Sequence, residues 1–336
     1  MTVTPAFDPA DPAWLAHRYD AASDRIMYRH VPRTMHRSGP FLTDELIGEQ
    51  PQALLARPAA VAAARANPAP VHFIFHSAFC ASTMLVRALD RPGVAMGLSE
   101  PVLLNDVVGL RRRSERQGAD LARLLDDAMS LLARRWAPVE GVVVKPSNIL
   151  CGLQRPLLAL RADANAILLH APLREFLISV ARKGLWCRLW VRELLEGLLR
   201  DGLVDLGFAP ENYFRLSDLQ VAAVGWLAQH RQFAALATHV PDRVRTLDSA
   251  TLLTDPSRAI AAAERFFGHT NMAATPNNAL GRHSKTGAPF TAADRREEQR
   301  ATQDAHRDEI DKVEAWALAL AASAGIAITL PAPLLG

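Results

Sequence analysis

Ser77 to Thr83, SAFCAST, bring backbone amides and hydroxyls together in one short stretch, and the chemistry they suit is anion binding. Upstream, His72–Phe75 read as a short apolar strand. Downstream, Met84, Leu85, Val86 and Leu89 form a helical apolar face. A strand, a tight turn and a helix in that order aim unpaired N–H groups and the positive end of a helix dipole at one spot, which suits a phosphate or sulfate. Ser82 and Thr83 either donate hydroxyls to that anion or cap the helix. Neither glycine nor lysine stands between His76 and Thr83, so the G-x-x-x-x-G-K-[ST] loop of nucleoside triphosphatases is absent. An ordinary strand-to-helix turn is the competing reading.

Two more ionisable residues close predicted strands. VAMGL (94–98) runs into Ser99 and Glu100, and GVVVKPSN (141–148) carries Lys145 just before a proline. NAILLHAP (165–172) leads into a helix over about 174–183, and RVRTLD (243–248) is a fifth strand. Helices are expected at about 102–113 and 120–137, with long helical insertions between the fourth and fifth strands. Strands alternating with helices predict an α/β protein, a three-layer P-loop-like domain with a central, mainly parallel sheet covered on both faces. Sites in such sheets lie beyond the carboxyl ends of the strands, where His76, Glu100, Lys145 and the residues around Pro172 fall.

Residues 1–70 carry helical patches at Trp14–Tyr28 and Leu54–Ala66, broken by prolines and by the turn-like RSGPF at 37–41. They predict a helical N-terminal extension packed on the core, with residues 71–336 forming the α/β domain. The tail opens with a polar loop, GRHSKTGAPF. A charged amphipathic helix follows, capped by Thr291 and ending at Gly325, with its charges on a solvated face.

Composition narrows the function classes. A chain of 336 residues with 49% hydrophobic and 22% charged residues has the make-up of a soluble globular protein, and no apolar run reaches the roughly 20 residues of a membrane span. A net charge of +3, scattered basic residues and 6% aromatics argue against nucleic-acid binding. Cys80, Cys151 and Cys187 form no C-x-x-C pair, and the N-terminus lacks a basic region followed by an apolar one. Together these predict a reducing, cytoplasmic setting without disulfides or structural zinc. Of the 38 Lys and Arg residues the lysines are only Lys145, Lys183, Lys285 and Lys312, so each lysine hints at a need for a point charge.

Taken in order, these segments resemble the sulfotransferase superfamily, P-loop-like enzymes that move a sulfuryl group from 3′-phosphoadenosine 5′-phosphosulfate (PAPS). FCASTML stands where the family has its 5′-phosphosulfate loop, usually near R-S-G-T-T-L. LHAPLREFLISVARKG is similar to the 3′-phosphate segment, which reads like R-x-P-R-D-x-x-x-S. RVRTLDSATLLTDPSRAIAAAERFFG is similar to the Y-E-D-L-x-x-D-P … F-L-G block, and GRHSKTGAP resembles the flexible basic C-terminal segment of many bacterial members. The likeness covers about residues 72–290. Phe79 replaces the family's basic loop residue, Ala81 its glycine, and His170 or Ala171 the Arg that opens its 3′-phosphate motif.

The resemblance implies sulfuryl transfer from PAPS to a hydroxyl or amine of a small molecule or glycan, with no metal. The cradle would be the backbone of Ser77, Ala78, Phe79, Cys80, Ala81, Ser82 and Thr83 with the Ser82 and Thr83 hydroxyls. Arg174, Ser179 and Arg182, with Lys183 nearby, would serve the 3′-phosphate side. With Phe79 in the loop, charge on the leaving phosphate falls to His76, Lys145 or Lys285, the last on a loop able to close over the nucleotide. Glu100 stands where some family members place a catalytic Glu and would take the acceptor's proton. Each role has a plainer counterpart: a structural histidine, a surface lysine, a solvated loop, a carboxylate on a helix dipole. Cys80 reads as a small loop residue, and Trp186, Trp190 and Trp226 as core. A phosphotransferase or other nucleotide enzyme on the same fold, and a non-catalytic nucleotide-binding relative, are the alternatives.

Overall fold

Val71–His76 (VHFIFH) is buried at every position, as a strand covered on both faces must be, and it lies at the middle of a five-stranded sheet. In chain order the strands are β1 (Trp14–Asp20), β2 (Arg25–His30), β3 (Gln52–Ala56), β4 (Val71–His76), β5 (Ala95–Ser99), β6 (Gly141–Lys145), β7 (Ala166–His170) and β8 (Val244–Asp248). The large sheet has the order β5-β6-β4-β7-β8, and its β5–β6 and β6–β4 ladders are parallel. The α/β class expected from the alternating pattern is thus present, with all five expected strands within three residues of their predicted bounds. The computed structural model describes residues 5–269 and 302–335. Among these, no helix is long and apolar enough to cross a membrane.

The described residues fall into two compact units. One comprises 5–74, 83–166 and 263–269, the other 75–82, 167–262 and 302–335.

In the first unit the N-terminal residues form a three-stranded antiparallel sheet, β1-β2-β3, followed by a helix at Arg57–Arg65. The helical reading of Trp14–Tyr28 is therefore corrected: the segment is a pair of strands joined by a turn. A register shift between Ala16 and Arg18 breaks the two-residue alternation that would have marked β1 as a strand. Arg18 ties this sheet to the helix Val102–Arg112, its guanidinium donating to both carboxylate oxygens of Asp106 at 3.0 and 2.8 Å.

The helix that follows β4, α1 (Ser82–Leu89), packs closely on β5 because residue 97 has no side chain. A Cβ at Gly97 would lie 2.8 Å from the Val86 carbonyl oxygen and 3.1 Å from the Asp90 Cβ, closer than packed atoms approach.

In the second unit, α2 (Leu173–Arg182) follows β7 and α3 (Gly184–Arg200) follows α2 after a corner at Lys183–Gly184, with Gly184 at φ 62°. α4 (Asp218–His239) begins in a capping box between Ser217 and Gln220, and its face of Leu219, Val224, Trp226, Leu227 and Phe233 is buried. The C-terminal helix, α5 (Arg307–Ser323), ends as the sequence predicts. Gly325 takes φ 63°, and the Ile326 N–H donates to the Ala321 carbonyl at 2.9 Å. The segment beyond it lies along the outer strand, with the Thr246 N–H donating to Ala332 and the Leu334 N–H to Thr246, both at 2.8 Å. Thr291, the expected cap of this helix, lies outside the described residues.

Candidate functional site

Ser77 anchors the turn after β4 to the neighbouring strand end. Its N–H donates to the Leu169 carbonyl at 3.1 Å, and its Oγ accepts from the Ala171 N–H at 3.2 Å. The next amide, of Ala78, donates to His76 Nδ1 at 3.2 Å, which places the proton of a neutral His76 ring on Nε2. The backbone then takes an uncommon course. Ala78, Phe79 and Ala81 all have positive φ, at 71°, 52° and 61°, and none is glycine. Left-handed backbone costs a residue with a Cβ about 1–2 kcal/mol, so this turn is held in shape by its surroundings. Ala81 takes a conformation that only glycine adopts without strain.

A left-handed residue running directly into a right-handed helix turns successive N–H groups toward one concavity. Here Ala81 leads into α1, whose first amides have no intrahelical carbonyl to bond and sit at the positive end of the helix dipole. Ser82 and Thr83 are both buried at this point, and Cys80 is fully buried. Phe79 is half-buried, its ring 5.7 Å from Phe176 and 5.4 Å from Trp190, centroid to centroid. The Lys183 ammonium stands 5.5 Å from the centre of that ring.

The first unit places a second group of predicted residues together. Ser99 and Lys145 are register partners where β5 and β6 end, and the Glu100 N–H donates to the Lys145 carbonyl at 2.6 Å. The side chains meet as well, with Lys145 Nζ donating to Glu100 Oε1 at 2.5 Å. The Lys145 side chain is 0% exposed and that of Glu100 17%. Lys145 Nζ also lies 4.8 Å from the Phe41 ring centre, from the turn RSGPF that precedes the small sheet's third strand. A buried ammonium needs a carboxylate partner, so Lys145 holds Glu100 as much as Glu100 holds Lys145. Glu100 itself has φ 53°, an uncommon backbone for a residue with a side chain, which aims the carboxylate away from the ordinary strand continuation.

Arg174 projects from α2 and is paired with two carboxylates of α5, Asp311 at 2.5 Å and Glu314. Hydrogen bonds to Asp311 first and Glu314 second raise its pKa further. Ser179 is buried, and Arg182 is exposed in the last turn of α2. His170 ends β7 with its ring edge-on to His230 at 5.1 Å, and His230 stacks on Trp226 at 4.2 Å. Burial pushes His170 below the ordinary histidine value and His230 down to about 4, so both rings are neutral at pH 7. Trp226 Nε1 donates to the Ala171 carbonyl at 2.8 Å, closing this cluster under the strand end.

The residues predicted from sequence therefore gather in three local groups: the turn from His76 to Thr83, the Glu100–Lys145 pair, and α2 with Arg174, Ser179 and Arg182. Lys285 lies outside the described residues. Sequence reasoning missed the Phe79–Lys183 contact, the Phe41 ring over Lys145, and Trp190 as a wall beside the turn. The scarcity of lysine was the signal that could have led to Lys183.

No family model matches this chain, and no curated protein matches it. Among solved structures, it is similar to a sulfotransferase domain from the curacin biosynthetic pathway, at 14% identity over 66% of this chain and 81% of that one, with a TM-score of 0.41. It is also similar to a sulfotransferase domain from the Synechococcus PCC 7002 olefin synthase, at 15% identity over 67% and 82%, with a TM-score of 0.38.

Proposed function

We propose that this chain transfers a sulfuryl group from PAPS to a hydroxyl or amine of a small molecule or glycan. The observation that carries the reading is the turn Ser77–Ser82. It spends strain at Ala78, Phe79 and Ala81 to present amides at a helix start, where the sequence resembles a 5′-phosphosulfate loop. Such strain is useful where a backbone must be held ready for an anion.

In the transfer, the acceptor oxygen or nitrogen bonds to sulfur as the bond from sulfur to the bridging oxygen breaks, and that electron pair leaves on the 5′-phosphate. Glu100 takes the acceptor's proton. Lys145 fixes the Glu100 carboxylate before the transfer. The amides at the start of α1 and the Ser82 and Thr83 hydroxyls hold the phosphosulfate, while those of Ser77 and Ala78 are engaged by the Leu169 carbonyl and His76 Nδ1 and shape the turn. His76, with Nδ1 engaged by Ala78, acts by shaping the turn.

Arg174, already paired with Asp311 and Glu314, and the neutral His170 support a second reading, in which the donor is a nucleotide without a 3′-phosphate. Incubation with PAPS and a panel of phenols, alcohols, amines and sugars, followed by mass spectrometry, separates the two. Release of 3′,5′-ADP with a sulfated product is expected. Transfer from adenosine 5′-phosphosulfate, or phosphoryl transfer from ATP with magnesium, in place of it selects the second reading.

A further inference from the structure

We propose that Lys183 supplies the positive charge that residue 79 does not, with the Phe79 ring as the platform that carries its ammonium to the anion-binding turn. The inference rests on the reading of Ser77–Thr83 as an anion cradle and names a charged residue within it.

An anion held only by amides and hydroxyls is left with much of its charge uncompensated, and a cation beside the cradle corrects this. Position 79 would be the natural source, and it carries a phenyl ring. That ring is fixed from two sides, by Phe176 of α2 and Trp190 of α3, and it receives Lys183 Nζ at 5.5 Å. The negative face of an aromatic ring attracts an ammonium and can hold it in place, so the pair does together what one basic side chain does alone.

The backbone at Lys183 fits that task. Lys183 ends α2, with φ −82° and ψ −1°, and Gly184 at φ 62° lets α3 start at once in a new direction. The side chain is therefore presented from the corner between α2 and α3. The residue type is informative as well. In a chain that draws nearly all its 38 basic residues from arginine, a lysine stands at this corner, and a compact ammonium suits both the ring face and a phosphate oxygen. The adjoining Arg182 is exposed and is the less suitable candidate.

The test uses the full chain with inorganic pyrophosphate and, separately, 3′,5′-ADP as probes in isothermal titration calorimetry. Lys183→Met is expected to weaken pyrophosphate binding by about tenfold or more, and by less in high salt. Phe79→Lys combined with Lys183→Met returns a cation to the turn and is expected to restore most of the affinity. Position 79 already has a left-handed backbone with a Cβ, so the lysine adds no new strain there. A second measurement needs no variant: pyrophosphate is expected to protect Lys183 of the wild-type chain from acetic anhydride, read by peptide mass spectrometry. Unchanged affinity in Lys183→Met, absence of protection, or absence of pyrophosphate binding by the wild type overturns the proposal. Pyrophosphate binding through Lys183 without 3′,5′-ADP binding removes the PAPS reading and leaves Lys183 in its role. Binding of 3′,5′-ADP that is indifferent to Lys183→Met does the reverse.

Discussion

Glu100→Gln should lower PAPS-dependent transfer by about 100- to 10,000-fold, the range that a positioned proton acceptor contributes, while 3′,5′-ADP affinity stays within about twofold. The amide keeps an oxygen for Lys145 Nζ, now 2.5 Å from Glu100 Oε1, and cannot accept a proton from the acceptor. The substitution also leaves the fully buried Lys145 without its counter-charge, which costs about 3–5 kcal/mol when a buried pair is broken from one side. Structural and chemical losses can be told apart by a double-mutant cycle. Glu100→Gln with Lys145→Met removes both charges, and it should regain much of the stability in urea denaturation without regaining turnover. Recovery of turnover in the double variant would assign Glu100 a purely structural role.

Arg134→Met should cost about 3–5 kcal/mol of stability, the largest loss expected from a residue remote from the site. Arg134 is 3% exposed, yet its guanidinium is satisfied entirely by carbonyl oxygens: Leu131 at 2.8 Å, Pro9 and Asp11 at 3.0 Å, and Trp14 at 2.5 Å. It also stands 5.8 Å from the Tyr28 ring centre. Burial is the main force lowering its pKa, opposed by the nearby Tyr28, Asp11 and Asp8. It lies just past the end of the helix Gly118–Leu132, where the helix dipole favours a cation, and it joins that end to residues 9–14. Methionine fills much of the volume and leaves those carbonyls buried without donors. Lysine, lacking the planar fork, should recover only part of the loss. A change of less than about 1 kcal/mol in urea denaturation would show that water replaces the guanidinium without cost.

The strands of the large sheet were legible because each is a short apolar run between turn residues. GVVVK and AILLH carry no helical period, and all or nearly all of each is buried. The small sheet was not legible. Its first strand, WLAHRYD, combines aromatic and charged residues around a register shift, and so imitates a helix with one apolar face. At the site, strand position alone placed Glu100 and Lys145 at one edge, since parallel strands end together. Their pairing depends on the β5–β6 register, which links residues 45 apart and is set by tertiary packing. Phe79 looked like a loss because a sequence reports what replaces a basic residue and is silent about which side chain settles on the replacement. Arg134 was invisible for a related reason: carbonyl acceptors leave no trace in residue type.

The measurement that tests the central claim most directly is a thermal-shift titration of the wild-type chain with 3′,5′-ADP, run beside ATP with magnesium. If the turn after β4 seats the phosphosulfate end of PAPS, 3′,5′-ADP at about 100 times its Kd stabilises the fold by about 2.7 kcal/mol, and ATP does not match it. A melting temperature unmoved by saturating 3′,5′-ADP, or moved only by ATP, would contradict the account.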